Sequence, residues 1–255
     1  MSSVPVALQL YTVRDETARD FVGTLERVAA LGYPAVEFAG YGGLDSGELK
    51  ALLERTGLTA ASTHVGLDAL EADAAREIAY CVAIGCKHLV LPWLPPERRE
   101  PSGLANLAAL LNRLGRQSRD AGISFSYHNH DFEFEVVDGG YYLDRLLDET
   151  DPEAVGLELD VYWAAFAGVD PLTFMQRRQD RVWLVHIKDM GPDRKYTEVG
   201  DGSLDMAGIA AAAGAGGVQW LIVEHDKPTM PTLASASRSL ENVQRLGLGD
   251  TSRRA

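Results

Sequence analysis

The feature that most constrains this chain is a cadence. Short apolar, β-branched runs lie at Val4–Tyr11, Ala35–Phe38, Leu58–His64, His88–Pro92, Ile123–His128, Val155–Asp160, Val182–Ile187 and Trp220–Glu224. They alternate with longer stretches of helical periodicity almost from end to end. Measured at Tyr11, Glu37, His64, Leu91, His128, Asp160, His186 and Glu224, the runs end every 26 to 38 residues, and one strand–helix unit needs about 30. Strands that alternate with helices lie parallel. Eight such units predict a closed (β/α)8 barrel that fills residues 1–255 as one domain. A doubly wound open sheet is the alternative. It is disfavoured because no Gly-rich phosphate fingerprint follows the first run, where Leu10-Tyr11-Thr12-Val13-Arg14 stands instead.

The intervening segments carry one apolar face. Phe21, Leu25 and Val28 recur at helical spacing, as do Leu104, Leu107, Leu111 and Leu114, and Leu233, Ala236, Leu240 and Val243. Gly32, Gly57, Gly85 and Gly122 stand where a helix ends and the next strand begins, as left-handed caps do.

Composition narrows the partners. Lys and Arg total 24 against 37 Asp and Glu, for a net charge of −13. Nucleic-acid backbones and anionic membranes both demand clustered Lys/Arg, so neither is expected as a partner. No apolar run approaches the roughly 20 residues of a membrane span, and Met1–Pro5 shows no basic start leading into an apolar stretch. Two cysteines, Cys81 and Cys86, do not make a disulfide framework. A cytoplasmic protein acting on a small molecule, and able to form a homo-oligomer, is the expectation.

A barrel gathers its functional residues at the C-terminal ends of its strands, so polar residues are weighed by position. His64, His128, His130, His186 and His225 fall at or just past strand ends, whereas His88 opens the fourth strand and reads as structural. Asp160 closes the sixth run and Glu224 the eighth. Side chains alternate along a strand, so Ser124, Ser126 and His128 share a face. So do Glu158 and Asp160, Val182, Leu184 and His186, and Trp220, Ile222 and Glu224. With that face inward, His128, Asp160, His186 and Glu224 converge at one rim. Four mixed nitrogen and oxygen donors suit one divalent ion: Mn2+, Mg2+, Co2+ or Zn2+. The competing reading is that they are ordinary strand-end polar residues.

Several motifs carry a family resemblance: Gln9-Leu10-Tyr11-Thr12-Val13-Arg14, Val36-Glu37-Phe38, Ser62-Thr63-His64, Tyr127-His128-Asn129-His130-Asp131-Phe132-Glu133-Phe134, Leu159-Asp160-Val161-Tyr162-Trp163, His186-Ile187-Lys188-Asp189 and Val199-Gly200-Asp201-Gly202. Over nearly its whole length the chain resembles the sugar phosphate isomerase/epimerase family of xylose isomerase-like barrels. In ketose 3-epimerases of that superfamily a Glu, an Asp, a His and a second Glu hold the metal at the ends of strands five to eight. The resemblance implies Asp160, His186 and Glu224 for the last three. His128 stands where the epimerases have the first Glu. Those enzymes use two metal-bound carboxylates as opposed acid and base, so the substitution questions a symmetric epimerisation here.

Other residues join the candidates. Glu224 is the expected base, with Glu133, His130 and Lys188 assisting; a salt bridge from Lys188 to Glu158 or Asp189 is the plainer reading. Glu37 and His64 are expected to line the pocket away from the metal. Trp93 and Trp163 offer faces for a sugar's C–H surface or plug the barrel top. Glu158, one layer below Asp160, requires a partner if buried. The Gly200-Asp201-Gly202 turn is expected to approach the site closely. The implied chemistry is proton abstraction beside a carbonyl through an enediolate. Returning the proton isomerises or epimerises a sugar or keto-sugar. Losing a β-hydroxyl makes the enzyme a lyase or dehydratase on a keto-sugar or keto-inositol. An AP endonuclease, which needs a basic rim and more ligands, and a non-catalytic sugar-binding barrel are the remaining readings.

Overall fold

A computed structural model of the chain describes residues 3–253. Eight parallel strands close on themselves: β1 (Val6–Gln9), β2 (Ala35–Ala39), β3 (Thr59–His64), β4 (His88–Leu91), β5 (Ser124–His128), β6 (Val155–Asp160), β7 (Val182–Ile187) and β8 (Trp220–Val223). Each strand pairs with its chain neighbours, and β1 also pairs with β8 through Val6–Leu221 and Leu8–Val223. Helices pack around this cylinder, as the cadence predicts. Leu104, Leu107, Leu111 and Leu114 are all buried on the helix Leu104–Asp120. Gly32 and Gly57 cap their helices at φ 106° and 68°, a conformation that costs residues with a Cβ.

Boundaries differ where side chains intervene. The strand predicted over Val4–Tyr11 stops at Gln9, and Leu10–Val13 form a 3-10 turn. The Gln9 side chain accepts the backbone N–H of Tyr11 at 2.9 Å and so caps that turn. The eighth strand stops one residue before Glu224. Two short antiparallel pairs, Val136–Val137 with Gly140–Tyr141 and Asp189–Met190 with Tyr196–Thr197, decorate the loops after β5 and β7.

The barrel interior is filled in tiers. The lower tier is apolar: Ala7, Ala35, Ala61, Val90, Leu184, Trp220 and Ile222 form their own buried cluster. Three alanines make room for the bulk of Trp220 and Leu184, which keeps the interior closely packed. Register then sets the two tiers above. Gln9 is level with Glu37, His128 with Glu158, and Asp160 with His186. Alternation along the strands turns these side chains inward, above an apolar floor.

Candidate active site

The middle tier is a buried charge cluster. Oε2 of Glu158 lies 2.7 Å from His64 Nε2, 3.0 Å from His128 Nδ1 and 3.3 Å from His186 Nε2. Glu37 Oε1 faces His186 Nε2 at 2.7 Å and His64 Nε2 at 3.1 Å, while Gln9 Nε2 donates to the same oxygen at 2.6 Å and Ser62 Oγ donates to Oε2 at 2.5 Å. Burial alone would raise both carboxyls, but the imidazoles beside them hold Glu37 and Glu158 below the usual range. Burial alone would depress His64, yet Glu37 and Glu158 raise it to about 10; His186 is raised by the same pair and Glu224. The tier is therefore two carboxylates neutralised by two imidazoliums. His128 differs, since burial drives it well below its ordinary value and leaves it neutral.

Above this lies the upper tier. His186 Nδ1 is 2.8 Å from Glu224 Oε2. Asp160 caps the helix Val161–Phe166 by accepting Trp163 N–H on Oδ1 at 3.1 Å. Its Oδ2 accepts no well-directed hydrogen bond, although the Lys188 ammonium lies 3.0 Å away. Lys188 Nζ also lies 2.7 Å from Glu224 Oε2 and 3.2 Å from Asp226 Oδ1. Burial pushes Asp160 up to about 6 against the pull of Lys188, while Lys188 and His186 overcome burial and keep Glu224 well below its ordinary value.

Among the described residues, two donor groups have the compactness of a metal site, each with all its ligand atoms within 4.8 Å of one another: Asp160, His186 and Glu224, and His64, His128, Glu158 and His186. The upper group fits a divalent ion. It offers two carboxylates and an imidazole at a rim, and one of its buried oxygens, Asp160 Oδ2, lacks a hydrogen bond. Three of the four sequence candidates thus come together. His128 belongs to the lower group instead, and its Nε2 reaches only within 3.8 Å of Asp160 Oδ2.

A cavity of about 580 Å³ opens over the upper tier, lined by His64, Trp93, His128, His130, Lys188 and Glu224, with Tyr11, Arg14, Tyr196, Asp226 and Lys227 at its sides. The chain turns out of strand geometry after His128, yet His130 still faces the cavity; burial and Lys188 lower it to about 3, a neutral imidazole. Glu37 is fully buried in the middle tier, beneath the lining. Glu133 is also fully buried, held by the Tyr127 hydroxyl at 2.5 Å and the His130 N–H at 2.8 Å, so it braces the loop after β5. Trp163 packs against His130 and Tyr196 behind the lining. Lys188 pairs with Asp160, Glu224 and Asp226 rather than with Glu158 or Asp189. The Gly200-Asp201-Gly202 turn is tied to Asp189 through the N–H groups of Gly200 and Gly202 at 2.9 and 3.1 Å, and a Cβ on Gly200 would meet Leu246 and Asn242. Gln9, Ser62 and Asp226 are site residues that strand-end reasoning does not single out. Gln9 ends β1 two residues before the predicted end at Tyr11, Ser62 lies within β3, and Asp226 lies three residues past β8.

The chain matches the family model described as xylose isomerase-like TIM barrel over residues 25–246. It is 30% identical over 194 residues to an inosose dehydratase from Geobacillus kaustophilus, covering 66% of this chain and 62% of that protein. It is 32% identical over 140 residues to an inosose dehydratase from Lacticaseibacillus casei, covering 48% and 46%. The matches therefore span about half to three-fifths of the length of those curated relatives. A sugar phosphate isomerase/epimerase from Parabacteroides distasonis superposes with a TM-score of 0.84 at 25% identity, covering 98% of this chain and 96% of that one. A probable 3-DHS dehydratase from Bacillus anthracis shares the fold alone, with a TM-score of 0.72 at 10% identity over 93% and 99% of the two chains. On the closed eight-stranded barrel and this coverage, the chain belongs to the xylose isomerase-like TIM barrel family.

Proposed function

We propose that the chain is a lyase that removes water from a keto-inositol or a keto-sugar. One observation carries this reading: the carboxylates lining the cavity, Glu224 and Asp226, both follow β8, while neutral His128 and His130 stand at β5 and just past it. Epimerisation by two opposed bases needs a proton acceptor on each face of the substrate carbon. Elimination of water needs only one group that takes a proton and gives it back. Glu224, ionised at neutral pH, removes the proton from the carbon beside the ketone and returns it to the departing β-hydroxyl on the same face. One C–H and one C–O bond break, a C=C bond forms, and water leaves. A divalent cation held by Asp160, His186 and Glu224 would supply Lewis-acid polarisation of the ketone oxygen. The Lys188 ammonium donates to a substrate oxygen, and Trp93 stacks on the C–H face of the ring. The inosose dehydratase relatives support the same reading.

The test is incubation with Mn2+ and either a keto-inositol or a ketohexose in D2O. Growth of the conjugated enone's ultraviolet absorbance, lost in Glu224→Gln, is the expected result. Deuterium at the carbon beside the ketone, with an epimer or isomer formed and no loss of water, would overturn the lyase reading. It would favour the isomerase reading supported by the likeness to the Parabacteroides distasonis protein.

A further inference from the structure

We propose that Lys188 is a built-in counter-cation of the candidate metal centre: its ammonium and a divalent ion compete for the same two oxygens, and the ion displaces Lys188 onto Asp226. The inference rests on the metal reading of Asp160, His186 and Glu224 and adds the means by which that site is neutralised and loaded.

The geometry is specific. Lys188 is only 2% exposed. An ammonium has three donors, and three carboxylates surround this one: Asp160 Oδ2 at 3.0 Å, Glu224 Oε2 at 2.7 Å and Asp226 Oδ1 at 3.2 Å. Asp160 Oδ1 is occupied by Trp163 N–H, so Oδ2 is the oxygen it has free for a cation. Glu224 Oε2 is the oxygen turned toward His186 Nδ1. Both of these oxygens touch Lys188. A divalent ion bound to both would share these oxygens with the ammonium, two cations repelling in a buried place. The third partner differs. Asp226 belongs to neither metal-compatible group and sits at the cavity wall. An ammonium that gives up Asp160 and Glu224 retains Asp226, beside the Tyr196 ring that already lies 5.8 Å from Nζ. Loading the ion therefore turns Lys188 from a partner of the ligands into a donor facing the substrate.

Competition has a measurable consequence. Removing the ammonium takes one neutralising charge from both oxygens and relieves the repulsion, so Lys188→Met should bind Mn2+ at least about tenfold more tightly than wild type. Titration calorimetry and the electron paramagnetic resonance of free Mn2+ would measure this on the whole chain. Lys188→Gln, which keeps a hydrogen-bonding head without charge, serves if the Met variant folds poorly. Tighter binding in either variant supports the proposal, including the case in which only the variant binds. Mn2+ affinity that is unchanged or weaker in a folded variant, with wild type binding, overturns the competition while leaving the metal reading intact. Failure of wild type and variants alike to bind Mn2+ overturns both. A structure of the Mn2+-loaded protein gives a second reading. Lys188 Nζ should have left Asp160 and Glu224 for Asp226, and its remaining within hydrogen-bond distance of both ligands would also overturn the proposal.

Discussion

His186 is held between two carboxylates, with Nε2 2.7 Å from Glu37 Oε1 and Nδ1 2.8 Å from Glu224 Oε2. Glu37 is itself fixed by Gln9 and Ser62. With Nε2–H kept on the fixed Glu37 carboxylate, an Nδ1 that gives up its proton to an incoming cation would turn its lone pair to the upper tier, as metal-ligating histidines do. Glu37→Gln keeps the shape and removes the charge behind His186. It should weaken Mn2+ binding by about 10- to 100-fold, read by titration calorimetry at fixed pH. An unchanged affinity would show that Glu37 serves only the middle tier's charge balance.

How much of this is visible in the chain depends on the range of the interaction. The eight strands show because β-branched runs and Gly caps are local signals, and strand alternation alone places Asp160, His186 and Glu224 on the inward face. The end of β1 is hidden because a side chain, Gln9, takes over the backbone N–H that would have continued the strand. The two-residue pairs at 136–141 and 189–197 are too short to leave a periodicity. The tether from Glu37 to His186 joins residues 149 apart in sequence, and nothing in either motif names the other. Lys188 shares the inward face with His186, as alternation implies, but its partner Asp226 arrives 38 residues on, from the loop after β8. Glu133 illustrates a limit of residue-type reasoning: expected from its loop position to assist the base, it is fully buried against Tyr127 instead.

Asp189 gathers the loop after β7. Its Oδ1 accepts the N–H of Met190 at 2.8 Å and of Leu204 at 3.3 Å, and its Oδ2 those of Gly200 at 2.9 Å and Gly202 at 3.1 Å. Asp189→Ala removes the acceptor from four amides, each costing on the order of 1–3 kcal/mol where water cannot replace it. Hydrogen exchange at Gly200, Gly202 and Leu204 should accelerate, and the denaturation midpoint should fall. Protection equal to wild type at those amides would mean that the Asp189–Met190 and Tyr196–Thr197 pairing holds the loop unaided.

At Gly115 the helix Leu104–Asp120 packs closely on the chain entering β6. A Cβ there would stand 2.3 Å from the Ala154 carbonyl oxygen. That backbone cannot easily recede, because Arg181 Nη2 donates to Val155 O at 2.9 Å and to the Thr150 hydroxyl at 2.6 Å. Alanine is the better helix former by up to about 1 kcal/mol, but overpacking costs about 1–3 kcal/mol. Gly115→Ala should therefore lower stability in urea. A higher midpoint would show that the helix can slide away from the strand.

Glu133 should leave a signature in pH. Burial raises its carboxyl to about 8, while hydrogen bonds from Tyr127 and the His130 N–H pull the other way without cancelling the shift. A carboxyl whose folded value lies above its unfolded value of about 4.5 binds more protons in the folded state. Its contribution to stability is thus fully present below about pH 4.5, and it is lost as pH rises toward 8. Glutamine reproduces the neutral form, since its carbonyl can accept His130 N–H while its amide donates to the Tyr127 oxygen. Glu133→Gln should therefore match wild type in stability near pH 5 and become the more stable of the two as pH rises to 8. Urea midpoints of both proteins across that range make the comparison and cancel the titration of every other group. A difference that stays constant with pH, or that favours wild type more at pH 8 than at pH 5, would mean that Glu133 is ionised in the folded protein and held by its two donors as a carboxylate.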